Sequence, residues 1–228
     1  MLSETKFIQG EHRLRTPRAA GFAGVIAGGL FIASHVLILI SFPVDPADRS
    51  ANLEDQRSLV SIALQLLPFA GIAFLWFMGV MRDRLGQRED QFYSTVFLGS
   101  GLLYLAMIFI ATALAGGLWS FYASYQEIAS ETVYKAGRML VSQITNVYGL
   151  RMASVFMLSS ATMWMRTQVV PRWLAILTAL LALVLLFTIG LSPWLPLIFP
   201  TWMLIVSILI LISNYRRKAQ SGMEAAMD

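Results

Sequence analysis

Long stretches without Asp, Glu, Lys or Arg dominate the order of apolar and polar positions in this chain. No such residue lies between Arg18 and Asp45, between Arg57 and Arg82, or between Asp90 and Glu127. The apolar blocks inside them are residues 19–43, 59–81 and 94–118. Each exceeds the roughly 20 residues that carry an α-helix across about 30 Å of hydrocarbon, and each predicts a transmembrane helix. A fourth block, residues 139–165, is bounded by Arg138 and Arg166 but holds Arg151, Gln143, Asn146, Tyr148, Ser154, Ser159 and Ser160. Its flanking apolar content and the alternation of the loops predict a span there too. From Arg172 to Arg216 no charge occurs over 43 residues, too many for one crossing. Gly190, Pro193 and Pro196 punctuate that run and divide it into spans near residues 173–190 and 197–213, joined by a tight hairpin. Pro200 falls in the opening turn of the last helix, where its missing N–H matters least.

The expected fold is all-α: a polytopic transmembrane bundle of about six spans. It occupies residues 19–214, between a basic tail of residues 1–18 and a second tail of residues 215–228. Basic residues orient it. With the N-terminus in the cytoplasm, twelve Lys and Arg fall inside and four outside, namely Arg49, Arg57, Lys135 and Arg138. That bias holds across every loop and predicts both termini in the cytoplasm, with the inner (plasma) membrane as location. Trp76, Trp119, Trp164, Trp173, Trp194 and Trp202 fall near expected span ends, as interfacial belts do. The first block is longer than a signal-peptide core and has no small-residue cleavage site, so it is expected to be retained. No internal repeat points to an inverted-repeat transporter. Between spans, Pro43–Gln56 reads as an acidic, turn-rich loop. Residues 119–134 read either as a short helix on the outer surface, with Ser124-Tyr-Gln-Glu127 as its capping box, or as extensions of the neighbouring spans.

Composition removes whole classes of function. The hydrophobic fraction is 57% and the charged fraction 13%, a surface a soluble globule of this length could not hide. A formal charge of +4 suggests nucleic acid in a soluble chain. Here the basic residues flank apolar runs without a basic, aromatic-interleaved stripe, so membrane lipid rather than nucleic acid is the expected partner. There is no cysteine, which excludes disulfides, thiolate catalysis and iron–sulfur clusters.

Polar groups inside a bilayer are costly, so they are the first candidates for function. Counted from each span's midpoint, His35, Gln65 and Asn146 share a level about 6–8 Å outside the midplane. Arg151 and Tyr104 lie near the middle of their spans, and Tyr148 is three residues from Arg151 on the same helical face. Together Arg151, His35, Gln65, Asn146, Tyr148 and Tyr104 suggest an outward-facing pocket for an anion or a polar head group, with Arg151 as its charge. The competing reading is architectural: these groups bond one another, and Arg151 caps backbone carbonyls or pairs with Glu127 or Glu131.

Other chemistry finds little footing. A bis-histidine haem needs a second ligand, and His12 sits in the basic tail. The spans hold no carboxylate and one imidazole, so no metal or other cofactor is expected. Paired aspartates, Ser–His or Ser–Lys arrangements and an H-E-x-x-H helix are missing, and all three lysines lie outside the spans. The chain reads as a non-enzyme, with a membrane-embedded enzyme as the third-ranked alternative. Gly24-Val-Ile-Ala-Gly28 and the Ala113/Gly117 pair are small-xxx-small motifs that permit close helix approach, within the bundle or across a homo-oligomer.

The charged turn Met81-Arg-Asp-Arg-Leu-Gly-Gln-Arg-Glu-Asp90 reads as a cytoplasmic anchor for two helices or a docking point for a soluble partner. With the spans around it, this turn resembles those of uncharacterised bacterial multi-pass membrane proteins, a likeness that implies no specific activity. The expected function is to bind or conduct a polar or anionic small solute or lipid head group. A structural or accessory subunit, alongside partner membrane subunits, is the alternative.

Overall fold

The computed structural model describes the backbone of residues 16–41, 53–85, 91–124, 131–167, 170–188 and 192–224. Seven α-helices make up nearly all of it: α1 (Thr16–Ser41), α2 (Leu53–Leu85), α3 (Gln91–Ser124), α4 (Glu131–Gln143), α5 (Leu150–Thr167), α6 (Arg172–Phe187) and α7 (Ile198–Glu224). No strand occurs among the described residues. A π-helical segment, Ile144–Gly149, joins α4 to α5 without a break, so the two form one rod. A 3-10 turn, Leu195–Leu197, leads into α7.

Four stretches are long and apolar enough to cross a membrane: Gly21–Ser41, Ser58–Arg82, Phe92–Phe121 and Leu195–Ser213. They match the first, second, third and last expected spans. The α4–α5 rod carries Arg138, Arg151 and Arg166 and is too polar to stand with them. α6 is apolar but has 16 residues, about 24 Å at 1.5 Å per residue.

Glycine contacts show how the rods pack. A Cβ at Gly28 of α1 would stand 2.9 Å from the Pro200 carbonyl oxygen and 3.0 Å from Leu204 Cβ, while one at Gly24 would collide with Ser207 Oγ. The first glycine motif therefore seats α1 antiparallel against α7 of the same chain. Gly71 lies against Phe109, and Gly116 against Leu64, so α2 and α3 are antiparallel too. Gly137 against Leu118, and Gly149 near Ile108, set the α4–α5 rod antiparallel to α3. Ser34 Oγ donates to the Ala63 carbonyl at 2.8 Å, which ties α1 to α2. Ala113 and Gly117 face away from the bundle, and a Cβ at Gly117 would meet nothing within 4 Å.

Aromatic rings fill the centre. Phe74 of α2 stands 6.0 Å from Phe31 of α1, 5.9 Å from Tyr104 of α3, 5.4 Å from Phe156 of α5 and 5.9 Å from Phe199 of α7. Trp202 stacks on Phe199 and Trp164 and donates its indole N–H to Thr178 Oγ1 of α6 at 3.0 Å. The aromatic-belt expectation needs correcting here. Trp76, Trp173 and Trp194 are exposed, but Trp119, Trp164 and Trp202 are buried. Position near a span end fixes height in the membrane, not the direction a ring points, and these three point at neighbouring helices.

The connections also differ from expectation in part. α3 runs on to Ser124 and α4 starts at Glu131, so the described part of that connection extends the neighbouring helices rather than forming a separate surface helix. Glu54, Asp55 and Arg57 fall within the first turns of α2, and Met81–Leu85 completes the same helix. The rest of the Pro43–Gln56 loop, Gly86–Asp90, residues 125–130, the Gly190–Leu191 break and most of the basic tail lie outside the described residues.

Two alanine substitutions one residue apart test this packing. Gly28→Ala should lower stability in detergent by about 1–3 kcal/mol, the usual effect of overfilling a tight contact. Gly29→Ala, where a Cβ meets nothing within 4 Å, should leave it unchanged or slightly raised. Equal melting shifts by circular dichroism would contradict the α1–α7 contact.

Candidate ligand-binding site

Where α1 and α3 finish and α4 begins, the helices enclose a partly open cavity of about 180 Å³. Thr112 and the apolar Ile108, Ala111, Ala115 and Leu118 of α3 recur at helical spacing and form one wall. His35, Ile38 and Leu39 of α1 form another. Arg138, Val141 and Ser142 of α4, with Thr145 and Asn146 of the π segment, line the third side, and Pro193 borders it from the turn before α7.

The π segment shapes the polar wall. Its wide turn closes on a bond from the Leu150 N–H to the Thr145 carbonyl, five residues back. Such segments are rare and frequent at functional sites. Buried Gly149 ends the turn, and a Cβ there would stand 3.3 Å from the Ile144 carbonyl oxygen.

Hydrogen bonding around the cavity is lopsided. Asn146 Nδ2 donates to both the carbonyl and the hydroxyl of Ser142 at 3.1 Å, but its buried Oδ1 has no partner. Thr112 and Thr145 give their hydroxyl protons to the Ile108 and Val141 carbonyls, at 2.8 and 2.9 Å. Each then has only lone pairs left to offer. Arg138 adds a guanidinium and His35 an imidazole, and no carboxylate among the described residues lines the cavity.

Of the six residues expected to form the site, the structure brings two together. His35 and Asn146 line the cavity. Gln65 points outward from α2, with a 3.4 Å bond to Ser61 of its own helix. Its height was readable, but the buried face of α2 runs through Ala63 and Leu67, and a residue two positions from each lies opposite. Tyr148 is exposed as well, and Tyr104 belongs to the aromatic centre, 4.5 Å from Phe199. Arg151 does not line the cavity. Its Nη1 donates to the Val147 carbonyl at 3.3 Å within the π segment, which is the carbonyl-capping arrangement.

Arg138, Ser142 and Thr145 are the residues missed, together with Thr112. A signal was present, because positions 138, 142 and 145 share one helical face with Asn146. Placing Arg138 in a loop hid it. Among the described residues no three His, Cys, Asp or Glu side chains gather to hold a metal ion.

Leaving Asn146 Oδ1 unpaired costs stability, on the order of 1–3 kcal/mol for a buried polar group. Asn146→Leu should therefore melt no lower than the parent protein. Ser34→Ala, which breaks an interhelical bond, should lose about 0.5–1.5 kcal/mol. A large loss in Asn146→Leu by thermal melting would show that the side chain serves architecture instead. Comparison of the chain with protein-family models, with curated proteins and with solved structures found no match.

Proposed function

We propose that this is a six-span protein of the inner (plasma) membrane, with both termini cytoplasmic, that binds a small polar or anionic solute or a lipid head group in the cavity at its outer end. The antiparallel rods and the charge bias of the loops support six crossings. α6 is short for a full crossing, and local thinning of the bilayer or tilt accommodates such mismatch at modest cost. Arg151 is tolerable in the fourth crossing because its guanidinium already engages a backbone carbonyl.

The observation that carries the reading is the unpartnered Asn146 Oδ1 beside the cavity it shares with His35 and Arg138. Buried acceptors are almost always paired, and an orphan of this kind calls for a bound group. The charge centre of the site is Arg138 rather than Arg151. Binding is favoured over conduction, because the rings around Phe74 fill the interior between five helices. Native mass spectrometry of the membrane-extracted protein tests this. The parent should carry a small adduct that is lost in Ala115→Leu, which fills the cavity, and weakened in Arg138→Gln. An adduct-free parent, or one identical in Ala115→Leu, would rule the cavity out.

A second reading, an accessory subunit or homo-oligomer, draws on Gln65 and Tyr148, polar groups on outward faces. In hydrocarbon an amide gains most from a partner helix. Because the chain has no cysteine, Gln65→Cys introduces a unique thiol. Oxidative cross-linking in native membranes should give a discrete higher-mass band if that face is covered, and Phe69→Cys should follow it. Monomer alone from both variants would remove this reading.

A further inference from the structure

We infer that the π segment is a one-residue insertion, and that it decides which face of the α4–α5 rod lines the cavity. Its existence rests on packing alone, and its use rests on the binding reading above. The rod lies antiparallel to α3, and two of its glycines touch that neighbour. A Cβ at Gly137 would stand 2.8 Å from Leu118 Cδ1, and one at Gly149 would stand 3.8 Å from Met107 Cβ. Along α3, Met107 and Leu118 are eleven residues apart. At about 100° per residue that is close to three full turns, so both lie on one face. Along the rod, Gly137 and Gly149 are twelve residues apart. A regular α-helix would leave Gly149 about 120° away from the face of Gly137. The wide turn takes up one residue, closing five residues back at Leu150 instead of four, and both glycines meet α3.

The insertion also sets the polar wall. Wound as a regular helix onto a fixed α5, the same residues would turn α4 by one position. Arg138 would then take the place of Gly137, where a Cβ already comes within 2.8 Å of Leu118. Met139 and Gln143 would take the places of Arg138 and Ser142. The close fit at Gly137 therefore holds the wide turn in place, and the wide turn holds Arg138 and Ser142 at the cavity. Asn146 goes with them: its amide bonds Ser142, four residues back, as a continuation of α4 would. Tyr148, two residues further on, is exposed and outside the lining. A surplus residue placed after Asn146, and not before it, keeps Arg138, Ser142 and Asn146 as one stripe at four-residue spacing on the face that meets the cavity.

Single-residue deletions test this, because removing the surplus should straighten the rod rather than unfold it. Deletion of Tyr148 brings Gly149 to the eleventh position after Gly137, matching α3. It should melt in detergent no lower than Tyr148→Ala, which controls for the lost ring. Deletion of Leu114, an exposed residue of the regular α3, turns Leu118 by about 100° against Met107 and should abolish the melting transition or lower it strongly. Equal losses in the two deletions would overturn the inference. Binding is read as the small adduct on membrane-extracted protein in native mass spectrometry, with no ligand added. The Tyr148 deletion should keep the adduct at the parent's occupancy. Deletion of Ile144 straightens the rod too, but it brings Asn146 to the third position after Ser142 and sets Val147 where Asn146 stood. Occupancy should then fall about two- to ten-fold, the effect of one lost hydrogen bond. Equal adducts in the Tyr148 and Ile144 deletions would overturn the positioning role. A parent without any adduct would overturn the binding reading and that role with it, while the melting comparison still decides whether the rod carries an insertion.

Discussion

Phe74 meets rings from four other helices, Phe31, Tyr104, Phe156 and Phe199, mostly edge to face. In lipid, helices gain little by hiding apolar surface from one another, because the surroundings are equally apolar. What holds them is close, shape-matched contact. Interlocked rings supply it, each pair adding on the order of 0.5–1.5 kcal/mol beyond simple burial. The glycines of α1 make it geometrically available by letting α7 approach to backbone distance. Remove either and the helices stand too far apart for the other to act.

That dense centre has a consequence at the ends. With the middle filled, unfilled space collects where helices diverge, beyond the ring layer. The cavity lies there, between the last turns of α1, the second half of α3 and the opening of the α4–α5 rod. The π segment falls at the same level and turns Asn146 and Thr145 toward it. A regular α-helix is the commoner form, and a leucine would leave no unpaired amide oxygen. Both departures sit on one wall. Elsewhere buried Ser154, Ser160 and Ser207 bond the carbonyl four residues back, while Ser94 Oγ and the Trp164 indole N–H are buried without a hydrogen-bond partner, as Asn146 Oδ1 is.

Arg151 and Arg138 illustrate how charge is managed differently within one rod. Arg151 is the more deeply placed in sequence, but it turns back onto the Val147 carbonyl. Arg138 lies a little over three turns earlier in the rod, where its side chain lines the cavity. The arginine nearer the middle of the rod therefore engages its own helix, while the one nearer its start lines the cavity.

The amino-acid sequence alone determined that the chain is helical, where four stretches long and apolar enough to cross a membrane run, and at which positions along the helices polar groups fall. Those properties depend on running lengths of apolar residues and on counting along a helix, and both are one-dimensional quantities. His35 and Asn146 were legible for that reason. The tertiary structure decided the rest, because it depends on rotation about each helix axis and on which helices are neighbours. Only there do Gln65 and Tyr148 turn outward, Trp164 and Trp202 turn inward, Tyr104 join the rings, and Arg138 come to face Thr112 across an open cavity. The π turn adds a local shift of register that no spacing rule for regular helices contains.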